Sequence, residues 1–188
     1  MSATAPAAPS RRDELLELAY GYVLEHGVGD LTLRPLAAAI RSSPRVLLFL
    51  FGSKAELVQA ILARARQDEL ELLDRVRAAD QGQGGDLLTL VAELWDWLAA
   101  EEHRALLTLW VEGYARSLID PKGPWAGFAA ATVADWLEML SESGAAEAEA
   151  TLVLAVLRGA FLDLLATGDL DRVTEAVNRQ LALIQGGR

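Results

Sequence analysis

The sequence has no cysteine, which excludes a disulfide framework and any thiolate metal site. It has two histidines, His26 and His103, too few and too far apart for a His-rich metal cluster. Isoleucine is scarce, at four residues, and valine and threonine together add 20, against 35 leucines and 33 alanines. Leucine and alanine favour helix and β-branched residues favour strands, so an all-β fold is excluded and an all-α fold expected. Unbroken apolar runs reach only about six residues, as at Leu152–Leu157. A transmembrane helix needs roughly 18–20, so no membrane partner is expected. The opening stretch Met1–Pro9 lacks the basic and long apolar regions of a secretory signal; it reads as a flexible arm, residues 1–9, and a cytoplasmic location is expected.

What is present describes a globular chain: 188 residues, 52% hydrophobic and 23% charged. Acid outnumbers base by 27 to 17, which at first argues against a polyanionic partner. The imbalance is not uniform. Residues 1–57 hold six bases and six acids, and all of the excess lies in 58–188. Within the first part, Leu31–Ala55 carries Arg34, Arg41, Arg45 and Lys54 and no acid.

Helix signals divide the chain. Ser10-Arg-Arg-Asp13 is a capping box ahead of an apolar-periodic run, which predicts a helix over 11–26 ended by Gly27 and Gly29. Thr32 is an N-cap candidate whose hydroxyl can accept from Arg34, with Pro35 tolerated in the first turn; this helix is expected over 33–41. Ser43 with Pro44 opens a third over 44–51, broken by Gly52. Ser53-Lys-Ala-Glu56 opens a long fourth, expected to reach about residue 79. Gln81–Gly85 reads as a linker rather than a phosphate loop, because it follows a helix and lacks the required glycine and lysine spacing. Further helices are expected over 86–100, 102–119, 124–143, 147–166 and 169–185.

Three short helices around a small core, the second and third joined by a tight turn at 41–43, have the layout of a helix-turn-helix, whose second helix enters the major groove. The expected organisation is a DNA-binding domain over 10–57, joined by the fourth helix to a larger domain over 58–188. The residues placed to meet double-stranded DNA are Thr32, Arg34, Arg41, Ser42, Ser43, Arg45, Val46, Leu48, Phe49 and Lys54. Arg45, at the second position of the third helix, is expected to read a guanine. Lys54, at the opening of the fourth, is expected to meet phosphate.

Residues 10–57 resemble the DNA-binding domain of the TetR family of bacterial repressors. Thr32, Ala37, Ser43, Leu47, Phe51, Ser53, Lys54 and Leu57 match that family's pattern, and Phe51-x-Ser53-Lys54-x-x-Leu57 is its most specific part. The departures are Arg41 for the turn glycine, Ser42 for valine, Leu48 for a tyrosine and Leu50 for a histidine. A leucine donates nothing to phosphate. Leu48 and Phe49 either touch thymine methyls or pack inward on the fourth helix or the larger domain.

All five tryptophans fall within 86–143. Small residues beside large rings, as along 126–134, can leave room for a ligand, and the resemblance implies an inducer pocket. Its expected lining is Trp95, Trp110, Tyr114 and Phe128, with Thr132, Trp136 and Phe161, suited to a small, largely apolar or aromatic effector; Thr132, Tyr114 and His103 are candidate polar contacts. The segment 151–166 is apolar on nearly every face and demands cover on both sides. The last two helices are therefore expected to form a homodimer interface, as the resemblance also implies. Glu101-Glu102-His103 is a lone acid–base cluster without a nucleophile or second histidine nearby. No enzyme, cofactor or metal site is expected. The expectation is a ligand-released repressor on a palindromic operator; the alternative is a helical small-molecule or protein-binding adaptor with weakened or lost DNA binding.

Overall fold

The structure, a computed structural model, describes residues 10–29, 31–83 and 87–186. All regular structure among them is helical. Helix α1 (Arg11–His26) opens on the reciprocal cap expected of Ser10 and Asp13: the Ser10 hydroxyl accepts the Asp13 N–H at 3.2 Å, and the Asp13 carboxylate accepts the Ser10 N–H at 3.2 Å. Helix α3 (Pro44–Phe51) is capped by the Ser43 hydroxyl on Val46 N–H at 3.2 Å, and α4 (Lys54–Gln83) by the Ser53 hydroxyl on Glu56 N–H at 3.1 Å. Leu15, Ala19, Val23, Leu36, Leu47, Leu57 and Ile61 form the shared interior of α1–α4 and are all buried.

Helix α2 (Leu33–Ala39) departs from expectation at both ends. Thr32 is extended as an N-cap should be, but its side chain makes no capping bond. The helix stops two residues early, in a turn that satisfies its last carbonyls: Ser42 N–H reaches the Ala37 carbonyl at 2.8 Å and Arg41 N–H the Ala38 carbonyl at 3.3 Å. This double closure requires a left-handed residue, and Arg41 supplies it at φ 52°. The sharp α2–α3 corner is thus built on the position where the sequence pattern led one to expect glycine.

The second half comprises α5 (Leu87–Ala99), a 3-10 turn (Glu101–His103), α6 (Arg104–Ile119), α7 (Phe128–Glu142), α8 (Glu147–Thr167) and α9 (Leu170–Gly186). Two boundaries shift. The helix of α4 continues to Gln83 through part of the expected linker; the remainder, 84–86, lies outside the described residues, as does the expected arm 1–9. Helix α7 starts at Phe128 because Gly127, at φ 79°, holds a left-handed turn before it. Gly113 on α6 is buried where a Cβ would stand 2.9 Å from both the Phe128 and Trp125 rings, so its lack of a side chain lets those rings seat against α6.

Helix α8 corrects the expectation that no segment could span a bilayer: it is long and apolar enough by length and composition. Here one side of it packs against α5, α6, α7 and α9, burying Ala150, Val153, Leu154, Leu157 and Leu164, while the opposite side, with Leu152 and Leu162, is exposed. Helix α4 runs from α3 past α1, α5, α6 and α7 and joins the two halves.

Candidate functional site

The outward face of α3 is the first feature. Leu47 and Phe51, four residues apart, point into the core, and Arg12 lies over the Phe51 ring at 4.9 Å. The rest of the helix is therefore turned outward. Arg45 is exposed, as are Val46 and Leu48, and Phe49 is 86% exposed. The two alternatives for Leu48 and Phe49 are thereby separated: Phe49 packs on no interior, and Leu48 only partly. Arg34 on α2, Arg41 in the α2–α3 turn and Lys54 at the start of α4 are exposed as well. None of these three, nor Arg45, has an acidic partner among the described residues. Ser43 is committed to the helix cap, and the Ser42 hydroxyl oxygen is buried without a hydrogen-bond partner. Thr32 is exposed at the start of α2. An exposed aromatic on α3, with exposed cations on α2, in the α2–α3 turn, on α3 and at the start of α4 that lack an acidic partner among the described residues, suits a polyanion bearing apolar groups.

The second feature is a partly open cavity of about 260 Å³ lined by α5, α6, α7 and α8. Six of the seven residues expected to meet a ligand line it: Trp110, Tyr114, Phe128, Thr132, Trp136 and Phe161. Trp95 does not. It is buried between α5 and α9, and its indole N–H donates to the Thr174 hydroxyl at 3.1 Å. His103 is also excluded as a polar contact: it stacks on Trp97 at 3.8 Å between ring centroids, and its Nδ1 bonds the Trp97 carbonyl at 2.8 Å. The wall includes residues that sequence reasoning did not assign to a site, notably Leu98, Ala115, Leu157, Arg158 and Leu162.

Two charged residues near the cavity were missed. Glu69 on α4 is fully buried; it accepts the Trp136 indole N–H at 2.7 Å and the Thr132 hydroxyl at 3.4 Å. Burial raises its pKa above the ordinary carboxylate value, against the opposing effect of the Trp136 hydrogen bond and the nearby Arg66. Arg66 itself pairs with Asp135 of α7 at 2.5 Å. A signal for Glu69 existed: it continues the inward spacing of Leu62, Ala65 and Leu72, where a charged residue requires partners. The second is Arg158, considered below.

The two features are physically joined. On α6, Trp110, Val111, Tyr114, Ala115 and Leu118 face the cavity, while Glu112 accepts the Val28 N–H at 3.2 Å in the turn between α1 and α2 and pairs with Arg116 at 3.7 Å. On α1, Tyr20 donates to Asp68 of α4 at 2.6 Å, and Arg64 of α4 bonds Glu17 at 2.7 Å and also pairs with Asp68. Burial, reinforced by the bond to Asp68, raises the Tyr20 pKa far above the ordinary phenol value. Cavity wall and helix-turn-helix share α4 and α6 as common supports.

A helix-turn-helix followed by a larger helical body is the fold of TetR-like transcriptional regulators of known structure. A transcriptional regulator from Rhodococcus sp. Rha1 superposes with a TM-score of 0.72 at 18% identity, over 95% of this chain and 97% of that one. A TetR-like transcriptional regulator from Rhodococcus sp. RHA1 gives 0.65 at 18% identity, over 97% and 100%. The multidrug binding protein EbrR complexed with ethidium gives 0.68 at 25% identity, over 90% and 98%. No family model matches the sequence, and no curated protein does.

Proposed function

We propose that this chain is a ligand-responsive, DNA-binding transcriptional regulator, a homodimer that represses from a palindromic operator in the cytoplasm and is released by a small effector, and that it is a binding protein rather than an enzyme. The observation that carries the reading is the outward face of α3: Phe49, Leu48 and Val46 exposed, with exposed Arg34, Arg41, Arg45 and Lys54, none of which has an acidic partner among the described residues. In this reading Arg45 reads a base edge, Phe49 and Leu48 meet thymine methyls, and Lys54 at the N-terminus of α4 meets phosphate. The domain division at residue 57 places DNA recognition before it, and effector binding and dimerisation after it.

The cavity supports an effector site, and the neighbouring fold with a bound small molecule in EbrR fits that use. An effector releases DNA by binding the DNA-incompetent state more tightly, each 1.4 kcal/mol of difference being about tenfold. Helices α4 and α6 offer the route. The dimer would form through α8 and α9, where Leu152, Leu162, Leu170 and Leu183 are left exposed.

Selection of bound duplexes from a random DNA pool tests the central claim. Enrichment of a two-fold symmetric sequence is expected. The exposed Phe49 and Leu48 would equally suit a protein-docking adaptor. Failure to enrich any sequence, with the protein folded and dimeric, would favour that second reading.

A further inference from the structure

Arg158 sits on α8 in the wall of the cavity and is partly withdrawn from water. Its guanidinium lies over the Tyr114 ring at 4.8 Å and makes one long bond to the Tyr114 hydroxyl, at 3.4 Å. It has no carboxylate partner among the described residues. That is unusual for this chain, in which 27 acids face 17 bases and the other partly buried arginines pair: Arg64 with Glu17 and Asp68, Arg66 with Asp135, Arg104 with Glu101. The nearby acid of the same helix, Asp163, is already held by Arg172 at 2.7 and 2.9 Å. The ring contact with Tyr114 offsets part of the desolvation of the guanidinium, but most of its five N–H donors remain without an acceptor.

The remaining wall is almost wholly apolar, and its other polar groups are occupied. The Thr132 hydroxyl and the Trp136 indole N–H are both turned to Glu69. Glu69 therefore spends its oxygens on the wall itself and does not line the cavity. Arg158 is left as the charged group presented to a ligand. A planar, permanently charged guanidinium takes a carboxylate through two parallel hydrogen bonds, and the low dielectric of an apolar cavity strengthens that pairing.

We propose that the effector is an amphipathic anion: an apolar body held by Trp110, Phe128, Trp136 and Phe161, with a carboxylate head on Arg158 and Tyr114. This rests on the reading of the cavity as the effector site and deepens it by assigning the charge of the ligand. It also separates this chain from a site for a lipophilic cation such as ethidium, because Arg158 repels positive charge.

The test uses three probes with one apolar body and different heads: decanoate, decanol and decyltrimethylammonium, each titrated at micromolar concentration against the full-length protein by calorimetry and tryptophan fluorescence. Decanoate is expected to bind at least tenfold more tightly than decanol, and the cation most weakly. Arg158→Gln should remove the preference for decanoate over decanol, and Arg158→Lys should retain part of it. Equal binding of decanoate and decanol, tighter binding of the cation, or an equal loss of both neutral and anionic probes in Arg158→Gln would each overturn the assignment. The comparison of heads on the unaltered protein stands even where a variant fails to fold. Binding of decanol without preference for decanoate would sink the anion and leave the cavity as an effector site. Binding of no probe would remove the cavity reading and the anion together.

Discussion

Helices α3 and α8 share a composition and differ in what surrounds them. Both are apolar on most faces: α3 reads Pro-Arg-Val-Leu-Leu-Phe-Leu-Phe, and α8 carries few polar residues between Leu152 and Ala166. Each buries one stripe, Leu47 and Phe51 on α3, Val153, Leu157 and Leu164 on α8, and leaves other apolar residues outside. On α3 the exposed group is Val46, Leu48 and Phe49, in a region with four cations that have no acidic partner among the described residues. On α8 it is Leu152 and Leu162, spaced with exposed Ala155, Gly159 and Ala166 on the same stripe. Exposed apolar surface among free positive charge suits a polyanion with methyl groups in its groove; exposed apolar surface among small residues suits a second helix at close approach. Composition alone assigns these helices to one class. Their neighbours assign them to two.

The strongest way to break this contrast is at Gly159. A Cβ added there meets nothing within 4 Å in the protomer, so a larger side chain is harmless unless a partner lies against it. Gly159→Glu should place an unpaired charge in a subunit interface, at roughly 3–5 kcal/mol, or more than about a hundredfold in the dimer dissociation constant. Sedimentation equilibrium at micromolar protein should then show monomer, with helical content retained. A variant that remains dimeric would remove α8 from the interface.

The reciprocal changes are on α3 and at the first residue of α4, and should leave assembly untouched. Arg45→Ala is expected to lose roughly 1–3 kcal/mol of binding and relax specificity at one position per half-site. Phe49→Ala should lose on the order of 1 kcal/mol with an unchanged salt dependence, because no phosphate contact is removed. Lys54→Ala should weaken all sequences alike and flatten the salt slope by about 0.9 per phosphate lost. Anisotropy titrations across a salt series separate the three. A salt slope altered by Phe49→Ala, or a site preference altered by Lys54→Ala, would reverse their assigned roles.

Much of this contrast could be read from the sequence. The caps at Ser10, Ser43 and Ser53, and the bounds of α1 and α3, follow from short-range hydrogen bonding that local residues determine. The pocket lining was legible where rings recur at helical spacing, as at Trp110 and Tyr114. It failed at Trp95 and His103, because both are large residues on helices near the cavity and only the packing of α5 against α9, and of His103 on Trp97, turns them aside. Arg158 read as one of the rare polar residues of α8, with nothing local to say that it would reach Tyr114, 44 positions earlier in the chain. The end of α4 expected near residue 79 is too early, because the glycine-rich Gln81–Gly85 stretch reads as a linker, whereas the helix continues to Gln83.

The helix that carries α3 into the body has its own signature. Glu69 is held in α4 by Trp136 and Thr132, and burial raises its pKa. The folded state therefore keeps a proton that the unfolded chain has released, so stability should fall as pH rises from the ordinary carboxylate value through the raised one. Glu69→Gln removes this titration. Denaturant midpoints measured across pH should show a shallower decline with rising pH through that window for the variant than for the unaltered protein, and parallel curves would mean that Glu69 does not titrate there.

The smallest effect expected concerns how the two helices are terminated and aimed. Helix α8 ends in a left-handed residue, Gly168 at φ 70°, where glycine is at home; the corner that aims α3 uses the same backbone region at Arg41, φ 52°. A side chain there costs about 1 kcal/mol, and glycine would return part of that gain through the greater freedom of its unfolded state. Arg41→Gly should therefore stabilise by roughly 0.5 kcal/mol, a rise of about 1–2 °C in Tm for a chain of this size. Gly168→Arg makes the opposite exchange and should lower Tm by a similar or larger amount. If Arg41 is retained for its charge at the DNA surface, Arg41→Gly should also weaken DNA binding as it stabilises the fold. Opposite signs for stability and affinity in one variant would mark the corner before α3 as strained for binding, in contrast to the relaxed end of α8. A variant that gains stability and keeps its affinity would leave Arg41 with no part in the DNA surface.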